Sequence, residues 1–104
     1  MARNEKDKAY ISNFFKAVLA LNDESECEAF FDDICTIKEL EDLAHRLEVA
    51  HLLSSGLVYS KITEETGVST ATISRVNRCI NYGPGGYAMV LPRVFDDLSD
   101  DKEE

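Results

Sequence analysis

The 104-residue sequence has no tryptophan, only two prolines and only five glycines. Three of those glycines and one proline fall together in Gly83-Pro84-Gly85-Gly86, so the chain before Gly83 is almost free of residues that interrupt a helix. No apolar run approaches the roughly 20 residues needed to cross a bilayer. The charged start, Met1 to Lys8, leads into no signal-peptide core, so the expected location is cytoplasmic. Cysteine is sparse as well. Cys27, Cys35 and Cys79 are odd in number and contain no C-x-x-C pair, which excludes a disulfide framework and a zinc site of the usual spacing. Free, buried thiols are expected at these positions.

Positive charge is the scarcest chemistry in the chain. Eleven Lys and Arg face twenty Asp and Glu, for a net charge of -9. The imbalance is not uniform. Residues 22–50 carry ten acids against Lys38 and Arg46, and residues 82–104 carry six acids against Arg93 and Lys102. Residues 1–20 are mildly basic, and residues 51–81 hold Lys61, Arg75 and Arg78 against Glu64 and Glu65. An acidic body repels phosphate and limits non-specific nucleic-acid binding, so any DNA reading falls to the non-acidic segments.

What is present is helical periodicity. Tyr10, Phe14, Ala17, Val18 and Leu21 recur at spacings of three and four, which predicts a helix over residues 5–21. Cys27, Phe30, Phe31 and Ile34 share the face of a second helix over 25–34, with Phe30 and Phe31 read as core or dimer contacts. Thr36 and Glu39 form a capping box that opens the longest helix, expected to end at about Ser54 before Gly56. Its inward stripe is expected at Ile37, Leu40, Leu43, Leu47, Ala50 and Leu53. After the Gly83–Gly86 break, Tyr87, Val90 and Leu91 suggest a short last helix, ended or kinked near Pro92. The organisation expected is one helical domain over 1–95 followed by an acidic, disordered tail over 96–104. At this size about two-thirds of the unfolded chain's surface is buried, a modest core that a partner subunit often completes.

The segment from Ser60 to Asn81 carries the functional signal. Ser60 is placed to cap a short helix whose inward residue is Ile62. Gly67 stands where the chain must leave that helix in a left-handed conformation. Val68 plugs the angle between the helices, Ser69 caps the next helix, and Ile73, Val76 and Ile80 point inward at spacings of three and four. The outward positions are then Thr70, Ala71, Ser74, Arg75 and Arg78, with Thr72 toward the edge. Small residues at the front of a helix let its backbone approach base edges. Hydroxyls and methyls contact bases and phosphates, and arginine reads guanine or phosphate. The pattern predicts a helix-turn-helix over about 60–81, with double-stranded DNA contacted by Lys61, Ser69, Thr70, Ala71, Thr72, Ser74, Arg75 and Arg78. An ordinary helical hairpin shares the glycine and the serine, but not this exposed set of small, hydroxyl and cationic residues.

At these residues the sequence resembles the Trp repressor superfamily, and within it the small YerC/YecD-type Trp repressor-related proteins. The phrases that carry the resemblance are Phe30–Glu39, Leu43–Ala50, Thr66–Val76 and Cys79–Gly83. It spans nearly the whole chain for the YerC/YecD type, and residues 36–80 for Trp repressor itself. It implies an all-α fold of six helices and an intertwined homodimer with two reading heads in successive major grooves. It also implies a corepressor site beside the reading helix, with the family's two arginines falling at Arg46 and Arg75 and a threonine at Thr36. The family's serine falls at Cys79, a poorer acceptor for an amino group, and the turn between Gly56 and Ile62 is one residue shorter. The effector implied is therefore amino-acid-like or aromatic, with tryptophan disfavoured, and no other cofactor is expected. Arg46 also has a structural reading, as an ion-pair partner of Asp42 one turn away.

Two other function classes compete. An enzyme is disfavoured: His45 and His51 make no metal-binding spacing, and no nucleophile has a neighbouring base. The adjacent acids Asp32-Asp33 and Glu41-Asp42 point apart on a helix. An acidic helical protein-interaction module without DNA binding is the stronger rival, because the overall charge favours it.

Overall fold

The computed structural model describes residues 4–95, so the expectation for the acidic tail at 96–104 lies outside the described residues. Six helices follow one another: α1 Glu5–Leu19, α2 Glu24–Ile34, α3 Ile37–Ser54, α4 Tyr59–Thr66, α5 Thr70–Tyr82 and α6 Gly86–Val94. No strand occurs among the described residues. The fold is all-α, as expected. The chain separates into two compact units, one ending at Leu40 and one beginning at Glu41.

In the first unit, side chains start the helices. The Asn4 side chain accepts from the Asp7 N–H at 2.8 Å, and Asp23 accepts from the Glu26 N–H at 2.9 Å. The capping box forms as the sequence predicts: Glu39 N–H donates to Thr36 Oγ1 at 3.0 Å, and Thr36 N–H donates to Glu39 Oε1 at 2.9 Å. Each such cap satisfies backbone donors that the first turn leaves without carbonyl partners. Phe14, Phe30 and Phe31 cluster where α1 meets α2, with the Phe30 and Phe31 rings edge-on at 5.5 Å. Yet no side chain of α1 or α2 is fully buried, and Phe15 and Leu19 are 58% and 83% exposed.

The second unit holds the core. Val49 and Ala50 of α3, Ile62 of α4, Ile73 and Val76 of α5 and Leu91 of α6 are buried, and Leu47, Leu53, Tyr59, Val68, Ile80 and Tyr87 are among the side chains that pack around them. His51 stacks on Phe95 with ring centroids 3.9 Å apart and planes 8° from parallel.

Four expectations need correction. Ile37 and Leu43 were expected on the inward stripe of α3 but are 79% and 44% exposed, because the part of that helix packed on the core begins at Leu47. Val49, outside the expected stripe, is fully buried. The last helix does not stop at Pro92 but runs through it to Val94. Proline lacks one N–H, and the cost of that bond is offset where the flanking residues pack, here Leu91 against the core. The thiols are not buried: Cys27 and Cys79 are exposed and Cys35 is half-buried.

Candidate nucleic-acid interface

The turn between α4 and α5 is built by Gly67 and Thr66. Gly67 has φ 77°, in the left-handed region, and its N–H donates to the Thr63 carbonyl at 2.8 Å. A Cβ added there would meet nothing, so glycine is needed for its backbone and not for space. Thr66 Oγ1 donates to the Ile62 carbonyl at 2.7 Å and accepts from the Val68 N–H at 3.1 Å. The turn is thus pinned on both sides by one hydroxyl, a role the sequence pattern did not single out. Val68 sits half-buried against the core, as the plug between the helices.

The start of α4 differs from expectation. Val58, not Ser60, is its N-cap, and no side chain caps it. Helix formation two residues earlier lets Tyr59 pack on the core, and this burial replaces the serine cap. Ser60 is consequently an exposed helical residue. The α5 start matches expectation: Ser69 Oγ accepts from the Thr72 N–H at 3.2 Å. Its hydroxyl also lies 3.3 Å from Thr72 Oγ1. At the other end α5 stops at Gly83, where a Cβ would come within 2.5 Å of the Cys79 carbonyl oxygen. Only glycine lets the chain turn there without moving backbone.

With Ile73 and Val76 buried, the opposite side of α5 faces out. Ser69, Thr70, Ala71, Ser74, Arg75 and Arg78 are all exposed, and Thr72 is half-buried at the edge. Ala71, Ser74, Arg75 and Arg78 line a shallow groove of about 220 Å³. Lys61 is exposed on α4, where its Nζ lies 3.6 Å from Glu64 Oε1. An exposed pair of this kind contributes little and leaves the lysine available to phosphate.

Behind that face lies a second cavity, of about 260 Å³, lined by Arg46, Thr72, Arg75, Val76, Cys79 and Tyr87. Arg46 and Arg75 are therefore brought to one cavity, and Cys79 joins them. Thr36 is not among these residues. It belongs to the first unit, where its hydroxyl caps α3. Tyr87 was missed from the sequence, since it stands beyond the Gly83–Gly86 break and shares no helix with the other lining residues. Burial is the main cause that raises its phenol above the ordinary tyrosine range; Cys79 raises it further, and Arg46 lowers it in part. No cluster of potential metal ligands occurs among the described residues.

Comparison with known proteins places this arrangement among relatives. Residues 9–95 match the family model described as Trp repressor protein. The chain is 56% identical over 84 residues to the uncharacterised protein YerC of Bacillus subtilis strain 168, covering 81% of each chain. Among solved structures, a TrpR-like protein from Eubacterium eligens superposes with a TM-score of 0.80 at 47% identity, covering 92% of this chain and 96% of that one. A candidate Trp repressor from Staphylococcus aureus gives the same TM-score at 41% identity, with coverage of 88% and 94%.

Proposed function

The chain belongs to the Trp repressor family, and from that premise we propose that it is a sequence-specific DNA-binding transcriptional repressor, working as a homodimer and controlled by a small-molecule effector. The observation that carries the reading is the outward side of α5. Its small, hydroxyl and cationic residues lie free while its apolar side is buried, in a chain that is otherwise strongly acidic. Ser69, Thr70 and Ala71 sit at the front, where the helix N-terminus favours phosphate and small side chains allow close approach. Thr72 and Ser74 follow with hydroxyls. Arg75 and Arg78 reach base edges or phosphate, and Lys61 adds a backbone contact from α4.

The dimer is supported by what the single chain leaves uncovered. Tyr10, Phe15 and Leu19 of α1, Ile34 of α2 and Ile37 of α3 are all more than half exposed. A second copy burying this surface joins two reading heads. Two weak heads on one duplex gain affinity through effective concentration, which offsets repulsion by the acidic body. The effector reading rests on Arg75, which lines both the outward groove and the cavity that holds Arg46. A molecule bound at that cavity changes where the Arg75 guanidinium rests, and so changes what α5 offers to DNA.

Selection of bound sites from random duplex DNA tests the reading. Enrichment of a two-fold symmetric site, with half-sites about one helical turn apart and binding that weakens as salt rises, is expected. Arg78→Ala should weaken binding and relax preference at one position of each half-site. Absence of enrichment and of heparin retention at any salt would favour the acidic interaction module instead.

A further inference from the structure

Residues 96–104 read Asp-Asp-Leu-Ser-Asp-Asp-Lys-Glu-Glu, six acids against Lys102 alone. Contact with DNA gives such a segment no part. The helix before it fixes where it begins. Phe95, the C-cap of α6, is half-buried and stacks on His51 of α3 with ring centroids 3.9 Å apart.

The same unit carries a surface of the opposite charge. Ala71, Ser74, Arg75 and Arg78 line the shallow groove on the outward side of α5, and no carboxylate stands in its wall. Among the described residues neither Arg75 nor Arg78 pairs with an acid, whereas Lys61 has Glu64 at 3.6 Å. The groove is within reach. Tyr87 of α6 lines a cavity that Arg75 also lines. Phe95 follows eight residues later, about 12 Å along the helix axis. Nine residues span up to about 30 Å when extended, more than twice that distance.

We propose that residues 96–104 dock on the outward groove of α5, their carboxylates against Arg75 and Arg78, and so compete with duplex DNA for the same two guanidiniums. The competition rests on the DNA reading above; the docking itself does not. Tethering supplies what the separate pairs lack. An exposed ion pair is weak by itself, but a segment joined to the same unit meets the groove at an effective concentration in the millimolar range. Arg93 of α6 is exposed and closer in sequence, so it is the rival resting place for the same carboxylates.

The experiment compares the full chain with a full-length variant that carries Asp96→Asn, Asp97→Asn, Asp100→Asn, Asp101→Asn, Glu103→Gln and Glu104→Gln together. Without DNA and at low salt, the backbone amide NMR signals of Ala71, Ser74, Arg75 and Arg78 should differ between the two chains. The differences should vanish at about 1 M salt, where the screening length falls to about 3 Å. Changes around Arg93 with none on α5 overturn the proposal. With the duplex selected above, the neutralised chain should bind about threefold to tenfold more tightly at low salt, the scale of two exposed ion pairs that DNA no longer displaces. Equal affinities overturn the competition even where the α5 signals differ. Tighter binding without those differences overturns it as well, because the acids then repel DNA from a distance. The NMR comparison needs no DNA, which keeps the two readings apart. Altered α5 signals in a chain that binds no duplex support the docking and remove the DNA reading; unaltered α5 signals in a chain that binds its duplex remove this inference alone.

Discussion

Residues 4–40 carry four of the five phenylalanines, but none of their side chains is fully buried. Residues 41–95 carry one phenylalanine and bury six aliphatic side chains around a turn held by Gly67 and Thr66. The richer supply of phenylalanine therefore lies where the single chain buries least. Aromatic side chains contribute most when they leave water altogether. Phe14, Phe30 and Phe31 meet one another, while Phe15 and Leu19 remain open to solvent. The second unit completes its core within one chain, whereas the first leaves apolar surface in water, which the proposed dimer would cover.

The largest predicted effect breaks that contrast directly. Phe15→Glu combined with Leu19→Glu places two charges on a surface that the single chain leaves in water. The fold of one chain should tolerate them, and the dimer should not. Light scattering is expected to report half the mass of the unaltered protein, with helical circular dichroism largely retained. An unchanged dimer mass would mean that α1 lies outside the interface.

The next effect belongs to the head. Ile73 is fully buried on α5, so Ile73→Ala should destabilise by about 2–5 kcal/mol through lost burial and the cavity left behind. Urea unfolding measures this, and a loss below about 1 kcal/mol would show that the core is looser than its burial implies. Gly67→Val ranks third. The added side chain meets nothing, so the penalty is the left-handed backbone alone, about 1–3 kcal/mol. Gly67→Asn should lose distinctly less, since asparagine tolerates that region. Equal losses for the two would shift the explanation from backbone conformation to crowding.

These contrasts also explain what could be read from the residues. Helix starts set by local chemistry were legible: Thr36 with Glu39, Ser69 with Thr72, and Gly67 in the turn each involve neighbours three or four residues apart. The exposed set Thr70, Ala71, Ser74, Arg75 and Arg78 followed once Ile73 and Val76 were placed inward. Features set by distant packing were not legible. Tyr59 packs, half-buried, against the core, and α4 starts there and not after Ser60. Leu91 packs beside Pro92 and carries α6 onward. Ile37 and Leu43 have the right spacing for an inward stripe, but periodicity marks an apolar face without saying which chain covers it. Tyr87 reaches the Arg46 and Arg75 cavity from another helix, and no spacing along one helix announces such a meeting.

The smallest effect sharpens the comparison most, because it applies one chemical change to both regions. Ser69→Ala and Thr36→Ala each remove a hydroxyl that accepts from a first-turn N–H, at 3.2 Å and 3.0 Å. Both caps are exposed, so each loss should cost about 1 kcal/mol of stability. Stability alone would not tell the regions apart. DNA affinity should: under the proposed function Ser69 stands at the front of the helix that meets phosphate, whereas Thr36 caps α3 from the first unit. Ser69→Ala is expected to weaken specific binding beyond what its stability loss explains, and Thr36→Ala is expected to leave binding within about twofold at a temperature where both variants are folded. If the two variants weaken DNA binding equally, the front of α5 does not meet the phosphate backbone, and the division between a reading head and a pairing surface loses its physical basis.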